Sequence, residues 1–327
     1  MKRAPRWLPY VLIVAFAFAV QVLAPNYRSQ MAFLWVMIVF ALTWDLLGGQ
    51  MGYNSFGNIL FFGVGMYACT VIQRDAGLGY FAGLFVGMAA GAILAVAFAA
   101  VLGSGMLGLR GHYFAIGTLG IGIAAGELAS GWDFVGGGGG MVPPQFPGAV
   151  GGRETFFYFL CFAIAAVTFP VLRWLYAGRF GLALNAIRDD EDKAEAMGLR
   201  TTRYKTTAWC ISAFFLGLTG GAVGNLIGFI DPREVAFAGS TFGVWMVLMA
   251  ILGGKGTLWG PVLGAVIFHV MKELFWTYLL GWQRVALGLL IVVIVVFFPV
   301  GILGWARERW PERFGRGVQD AAPEGGR

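Results

Sequence analysis

The sequence predicts an all-α, polytopic membrane protein with about ten transmembrane spans and both termini in the cytoplasm. Three observations carry the prediction. Charged residues make up 12% of the 327-residue chain and hydrophobic residues 58%, with a mean hydropathy of +0.74. A soluble domain would carry about 25% charge. Several apolar runs reach the ~20 residues a helix needs to cross ~30 Å of hydrocarbon. The ~10-residue alternating segments of a transmembrane barrel are absent from the sequence.

The spans follow in order. Residues 8–24 are an apolar run behind Lys2-Arg3, a pattern shared with signal peptides, but Pro25 directly after Leu23-Ala24 disfavours cleavage, so the run is expected to be kept. Residues 31–49 form the second run and carry Asp45 near their end. Residues 55–73 and 80–103 follow, and glycine in such spans lets membrane helices approach closely. The 51 glycines of the chain point to tightly packed or broken helices throughout. Residues 111–130 contain Glu127. The remaining runs are 156–176, 207–230, 236–254, 258–275 and 284–304.

With the N-terminus placed in the cytoplasm, only Arg28, Arg74, Arg153 and Arg233 fall outside, while Lys272 and Arg284 lie near span ends. All other Lys and Arg face inward, as the positive-inside rule requires. The same rule accounts for the net charge of +6 and a pI near 9.4, so nucleic acid is not an expected partner. The longest loops are 131–155 outside and 177–206 inside. Residues 1–309 read as one transmembrane domain, and 310–327, rich in Gly, Pro and charge, as a disordered cytoplasmic tail. Cys69, Cys161 and Cys210 all lie in apolar spans and read as small buried hydrophobes rather than a disulfide or metal framework.

Residues 178–205 stand apart. Eleven of these 28 residues are charged, in a chain otherwise almost continuously apolar. Within them, Asp189 to Gly198 has the outline of a short helix. Asp189 can cap it, Asp190, Glu191 and Asp192 fill the first turn where the helix dipole favours anions, and Gly198 suits the left-handed position past the end. About nine residues cannot hold a helix alone in water, so this one needs something to pack against. Ala194 and Met197 are three apart and expected on one face, and methionine adapts readily to a partner's groove. The residues alone leave two readings open: a docking surface, or a solvated hairpin whose charges serve topology.

Four segments carry a resemblance. The loop has Gly178-Arg179, Gly181, Leu184, Ala186-Ile187-Arg188-Asp189-Asp190-Glu191, Ala194, Ala196 and Gly198. Tyr53 to Asn58 is followed by Phe61-Phe62-Gly63-Val64-Gly65-Met66-Tyr67-Ala68. Leu109 to Leu119 and Leu252 to Ala265 complete the set. In this order, from about residue 45 to 265, they resemble the permeases of branched-chain amino-acid ABC importers, the LivM-type family. The chain departs from the family pattern at Asn58, at Asp45 and in the polyglycine run Gly136 to Gly140.

The resemblance implies a permease subunit in the bacterial inner membrane. It would work with a second permease, two cytoplasmic ATPase subunits and a periplasmic substrate-binding protein. Arg188, Asp189, Asp190, Glu191, Ala194, Glu195, Met197 and Gly198 would then form the ATPase-coupling element. Asn54, Ser55, Asn58 and Phe61, with Tyr113 and Thr118, are the candidates for lining the path of a small-molecule substrate, a branched-chain or related amino acid. Urea or a short amide is the alternative within the class. The segment from Gly48 to Gly65 suits either a partly unwound, path-lining helix or a loop leading into an ordinary span.

Other chemistry is not expected. Gly253-Gly254-Lys255-Gly256-Thr257 lacks the spacing of a phosphate-binding loop and reads as a tight turn, so ATP would be hydrolysed on partner subunits. His269 and Glu273 share a helix face, but a metal site needs further ligands. No catalytic Ser, His and Asp set is apparent, and neither an enzyme nor a cofactor site is expected. An ion-coupled transporter, the competing class, would need acidic residues in mid-span. Asp45 and Glu127 both lie near span ends, which suits snorkelling or an interhelix hydrogen bond; a role in the pathway or in conformational switching is the alternative.

Overall fold

The computed structural model describes residues 13–15, 17–19, 25–297 and 301–309, so most of the 8–24 run and the whole 310–327 tail lie outside the described residues. After a short turn at Pro25–Tyr27, the helices are α1 (Arg28–Gly48), α2 (Ile59–Asp75), α3 (Tyr80–Met106), α4 (Gly111–Ser130), α5 (Val150–Ala177), α6 (Arg179–Asp189), α7 (Glu191–Ala196), α8 (Thr201–Ile227), α9 (Val244–Gly253), α10 (Trp259–Tyr278), α11 (Gln283–Phe297) and α12 (Gly301–Arg309). Two π-helical turns, Pro232–Ala236 and Gly239–Gly243, lead into α9. Among the described residues, six helical segments are long and apolar enough to cross a membrane: Pro25–Gly48, α3, α4, α5, α8 and Pro232–Gly253. This is a helical, multi-pass membrane protein.

The remaining expected spans take other forms. Residues 55–58 are irregular, and α2 begins only at Ile59; its 17 residues rise about 26 Å. The 236–254 run divides into π turns and the ten-residue α9. The 20-residue α10 carries His269, Lys272 and Glu273 toward its end. The 284–304 run appears as α11 and α12, with 298–300 undescribed between them.

α1 is the central helix. Sixteen of its 21 residues are buried, the result expected of a sequence apolar on every face. It is enclosed by α5, α8, α9 and α10, and α8 is shared with a second group formed by α2 and α3. That second group is built on small residues. Gly83, Gly87, Gly91, Ala95, Ala99 and Gly103 recur every four positions on the buried face of α3. A Cβ added at Gly65 of α2 would lie 2.1 Å from the Gly217 carbonyl oxygen of α8, and one at Gly220 would lie 2.0 Å from that of Phe62. Backbones meet at these points, and dispersion over close contacts holds membrane helices together where no hydrophobic force can.

At the end of the bundle away from the charged loop, Arg153 of α5 donates to the carbonyls of Asn225 and Leu226, the last turn of α8. A guanidinium there satisfies carbonyls that have no helical partner and meets the negative end of the helix dipole. The neighbouring Asn225 amide donates to Gln73 at 2.8 Å and accepts from the Tyr80 hydroxyl at 3.1 Å, joining α2, α3 and α8.

α4 is attached differently. Its buried positions are Phe114, Thr118, Gly122, Gly126 and Ala129, a strip one residue wide. Half-buried residues such as Ile121 and Ala125 flank the strip, and the outer surface is exposed and largely apolar, including Tyr113, Ile116, Ile123 and Leu128. An apolar groove of about 1300 Å³ opens between α2, α3 and α4.

Candidate functional site

The charged loop folds into two helices rather than one. α6 is amphipathic, burying Gly181, Ala183, Leu184 and Ile187. The chain then breaks at Asp190, whose backbone is extended (φ −164°, ψ 104°) and whose side chain accepts from the Lys193 N–H at 3.0 Å. The cap of the second helix is therefore Asp190, not Asp189, which instead ends α6. The reason is local: Ile187 buries the last turn of α6, so helical geometry persists through Asp189. With Lys193 donating its backbone N–H and pairing with the side chain at 2.9 Å, the Asp190 carboxyl is held below the usual carboxylate range, the side-chain bond contributing most.

α7 ends in a Schellman motif. Gly198 takes a left-handed conformation (φ +89°), its N–H reaches the Glu195 carbonyl, and the Leu199 N–H reaches that of Ala194. Ala194 and Met197 do not share a face: Ala194 is buried at 5% exposure, whereas Met197 is 86% exposed. Met197 is the residue at which the helix stops (ψ 4°), so helical spacing no longer governs its direction. Glu195 and Gly198 are also exposed, as are Arg188 and Asp189. Beside Met197 and Gly198 a cleft of about 520 Å³ is lined by Phe180, Leu199, Arg200, Arg203, Tyr204 and Thr207.

Glu191 lies underneath. Its side chain is 10% exposed and pairs at 2.6 Å with Lys205 of α8, which is 4% exposed. The Lys205 ammonium also donates to the Leu107 carbonyl at 2.6 Å and to the Tyr53 hydroxyl at 3.1 Å. Tyr53 in turn donates to Glu191 at 2.5 Å. Arg110 approaches Glu191 at 3.5 Å and pairs with Asp192 at 2.8 Å. Burial would raise the Glu191 carboxyl, but the hydrogen bonds from Lys205 and Tyr53 and the nearby Arg110 outweigh it and hold the group below its ordinary range. Burial first, then Glu191, push the Tyr53 hydroxyl upward. Removing one member of a buried pair of this kind costs roughly 3–5 kcal/mol, because the other charge stays buried alone.

Arg188 links the loop to the central helix. It pairs with Asp189 at 3.1 Å, and its guanidinium reaches the Gly49 carbonyl at 3.4 Å. Just beyond, buried Asp45 accepts the Gly256 N–H at 2.7 Å, pinning the turn between α9 and α10 to the end of α1. That turn is the Gly253 to Thr257 motif. Gly254 and Gly256 have φ of +118° and +76°, and a Cβ at Gly253 would lie 1.7 Å from the Gly260 carbonyl oxygen. Glu127 is exposed and paired with Arg233 at 2.7 Å.

The six path candidates divide. Ser55, Asn58, Phe61 and Thr118 are buried, and Asn54 and Tyr113 are exposed. Asn58 accepts from the Trp209 indole at 3.3 Å and donates to Ser212 at 3.5 Å. Thr118 accepts the Phe56 N–H at 3.1 Å, and Phe61 sits edge-on to Trp209 with ring centres 5.4 Å apart. The 50–58 segment is thus irregular backbone, buried except at Gly52, Asn54 and part of Phe56 and held by interhelix bonds, and a membrane protein tolerates such backbone against protein or water. Sequence reasoning missed Tyr53, Arg110 and Lys205. The available signal was Lys205 itself, a cation at the edge of an apolar run, where topology alone gave it a purpose.

Residues 28–297 match the family described as branched-chain amino acid transport system / permease component. The chain is 28% identical over 314 residues to the high-affinity branched-chain amino acid transport system permease protein LivM of Salmonella typhimurium, covering 88% of this chain and 72% of that protein. It is 27% identical over 299 residues to LivM of Escherichia coli, covering 83% and 68%. A shorter stretch of 128 residues is 32% identical to the permease protein LivH of Salmonella typhimurium, covering 38% of this chain and 40% of that protein. No solved structure matches the chain.

Proposed function

This chain belongs to the branched-chain amino acid permease family, of the LivM type, and on that premise we propose that it is one of two permease subunits of an ATP-driven importer. Its substrate would be a branched-chain or related small amino acid. It would cross the bacterial inner membrane about ten times, both termini and the 177–206 loop in the cytoplasm, with 310–327 as a tail. Two ATPase subunits and a periplasmic binding protein complete the assembly, and the second permease is a different chain of the LivH kind. Transport would run by alternating access: ATP-driven closure of the ATPases pushes α7, and the spans around the path tilt. Hydrolysis belongs to the partners.

One observation carries the docking element of this reading. Met197, a large apolar side chain, is 86% exposed at the end of a helix whose opposite side is fixed by Glu191 and buried Ala194. It is a rigidly presented knob of the kind a groove on another protein accepts, with Arg200 and Arg203 flanking the adjoining cleft. Burying such a side chain is worth roughly 1.5–3 kcal/mol. Met197→Asp should therefore lower import by at least about tenfold while the chain still reaches the membrane. Uptake of labelled leucine, alongside recovery of the ATPases with the tagged chain in mild detergent, tests it. Unchanged uptake with unchanged recovery would remove Met197 from the interface.

A further inference from the structure

We propose that Lys205, Glu191 and Tyr53 are positioning residues that fasten four separate pieces of the chain into one rigid unit, so that α7, the 49–58 segment, the α3–α4 turn and the start of α8 move together. The inference rests on the reading of α7 as the element the ATPases push, and it specifies how that push reaches the spans.

The geometry argues it directly. An ammonium has three N–H donors, and those of Lys205 go to three different segments: Glu191 at the start of α7, Leu107 at the end of α3, and Tyr53 between α1 and α2. The Leu107 carbonyl belongs to the set a helix end leaves without a partner, so Lys205 also closes α3. Tyr53 completes a triangle by donating to the other oxygen of Glu191. Its ring lies under the ammonium, 4.9 Å from the nitrogen to the ring centre, and edge-on to Phe114 of α4 at 5.1 Å. Phe114 meets Trp209, one turn along α8 from Lys205, at 5.8 Å. Pulling α7 away from α8 would leave Lys205 charged, buried and short of partners. The cluster therefore resists separation and transmits displacement.

The rim offers a clean test. Arg110 and Asp192 are 53% and 76% exposed and sit on two of the fastened pieces. The Arg110→Cys/Asp192→Cys pair, in a Cys210→Ser background that leaves only buried cysteines, is bridged with a short, cleavable bifunctional thiol reagent before ATPases are added. The complete importer is then reconstituted in vesicles. If the pieces move together, bridged and unbridged proteins import at the same rate within about twofold. A bridge that stops import, with recovery on cleavage, overturns the proposal. In parallel, Lys205→Met and the milder Tyr53→Phe should lower the amount of amino acid imported per ATP hydrolysed, by at least fivefold and about twofold. An unchanged ratio in both overturns it as well. Should Lys205→Met fail to reach the membrane, Tyr53→Phe and the bridge decide. Failure of the docking reading is seen separately, in Met197→Asp, where this cluster is intact.

Discussion

Glu191→Lys is expected to abolish import while leaving the chain in the membrane. The substitution puts a second ammonium where Lys205 has its counterion at 2.6 Å and Arg110 stands 3.5 Å away. It also takes the acceptor from the Tyr53 hydroxyl. Losing a buried partner costs roughly 3–5 kcal/mol, more than a hundredfold in the equilibrium holding α7 against α8, at about 1.4 kcal/mol per tenfold. Topology should survive, because the change adds a cation on the side where the positive-inside rule favours one. The pairing also has a pH signature. A carboxyl held below its ordinary range stabilises the native arrangement at pH above that range, and the contribution disappears only as the pH falls through the lowered value. Mild acidification should thus leave the parent cluster intact. Uptake of labelled leucine and the amount of protein in the membrane fraction are the two measurements. Parental uptake by Glu191→Lys would show that the pair has no part in coupling.

Gly220→Leu is expected to prevent folding altogether. The added Cβ would lie 2.0 Å from the Phe62 carbonyl oxygen and 3.0 Å from the Met66 nitrogen. Both are backbone atoms of α2 and cannot swing aside. α8 would have to withdraw, which also breaks its contacts through Gly217 with Gly65 and Gly91. Ordinary overpacking costs about 1–3 kcal/mol, and backbone against backbone exceeds it. Gly120→Leu is the control. Gly120 is exposed on α4 with nothing within 4 Å of its added Cβ, and removing an exposed helical glycine recovers up to about 1 kcal/mol of helix propensity. Detergent-solubilised yield and thermal aggregation should separate the two sharply; equal behaviour would refute the close-packing account.

The long helices were legible because apolarity over twenty residues is a local property. α4 begins and ends where its composition does, at 111 and 130. Departures occur where distant groups intervene. Residues 55–58 have the composition of a span start, but Trp44 and Thr118 hold their backbone in an irregular course. The Asp190 cap was misplaced by one residue because two adjacent aspartates are equivalent in sequence and only the burial of Ile187 distinguishes them. The loop was singled out by its charge, yet its internal division was not: Glu191 and Ala194 face inward while Met197 faces out. Lys205 stood out as a cation beside an apolar run, but its partnership was beyond reach, since Tyr53 lies 152 residues from Lys205 and 138 from Glu191. A pairing so distant leaves no mark on periodicity or composition.

The strip by which α4 is attached has a consequence for how this helix tolerates change. Its inward positions, Phe114, Thr118, Gly122 and Gly126, recur with a beat of four, slightly longer than the helical 3.6. The contact line therefore winds gently around the helix rather than running straight along it, as a seam does on a twisted garment. Along it, a Cβ added at Gly122 or Gly126 would lie 3.4 Å from the Ile59 and Phe237 side chains, an ordinary contact, so this helix lies against its neighbours by surface touch, not by the backbone interlock that joins α2, α3 and α8.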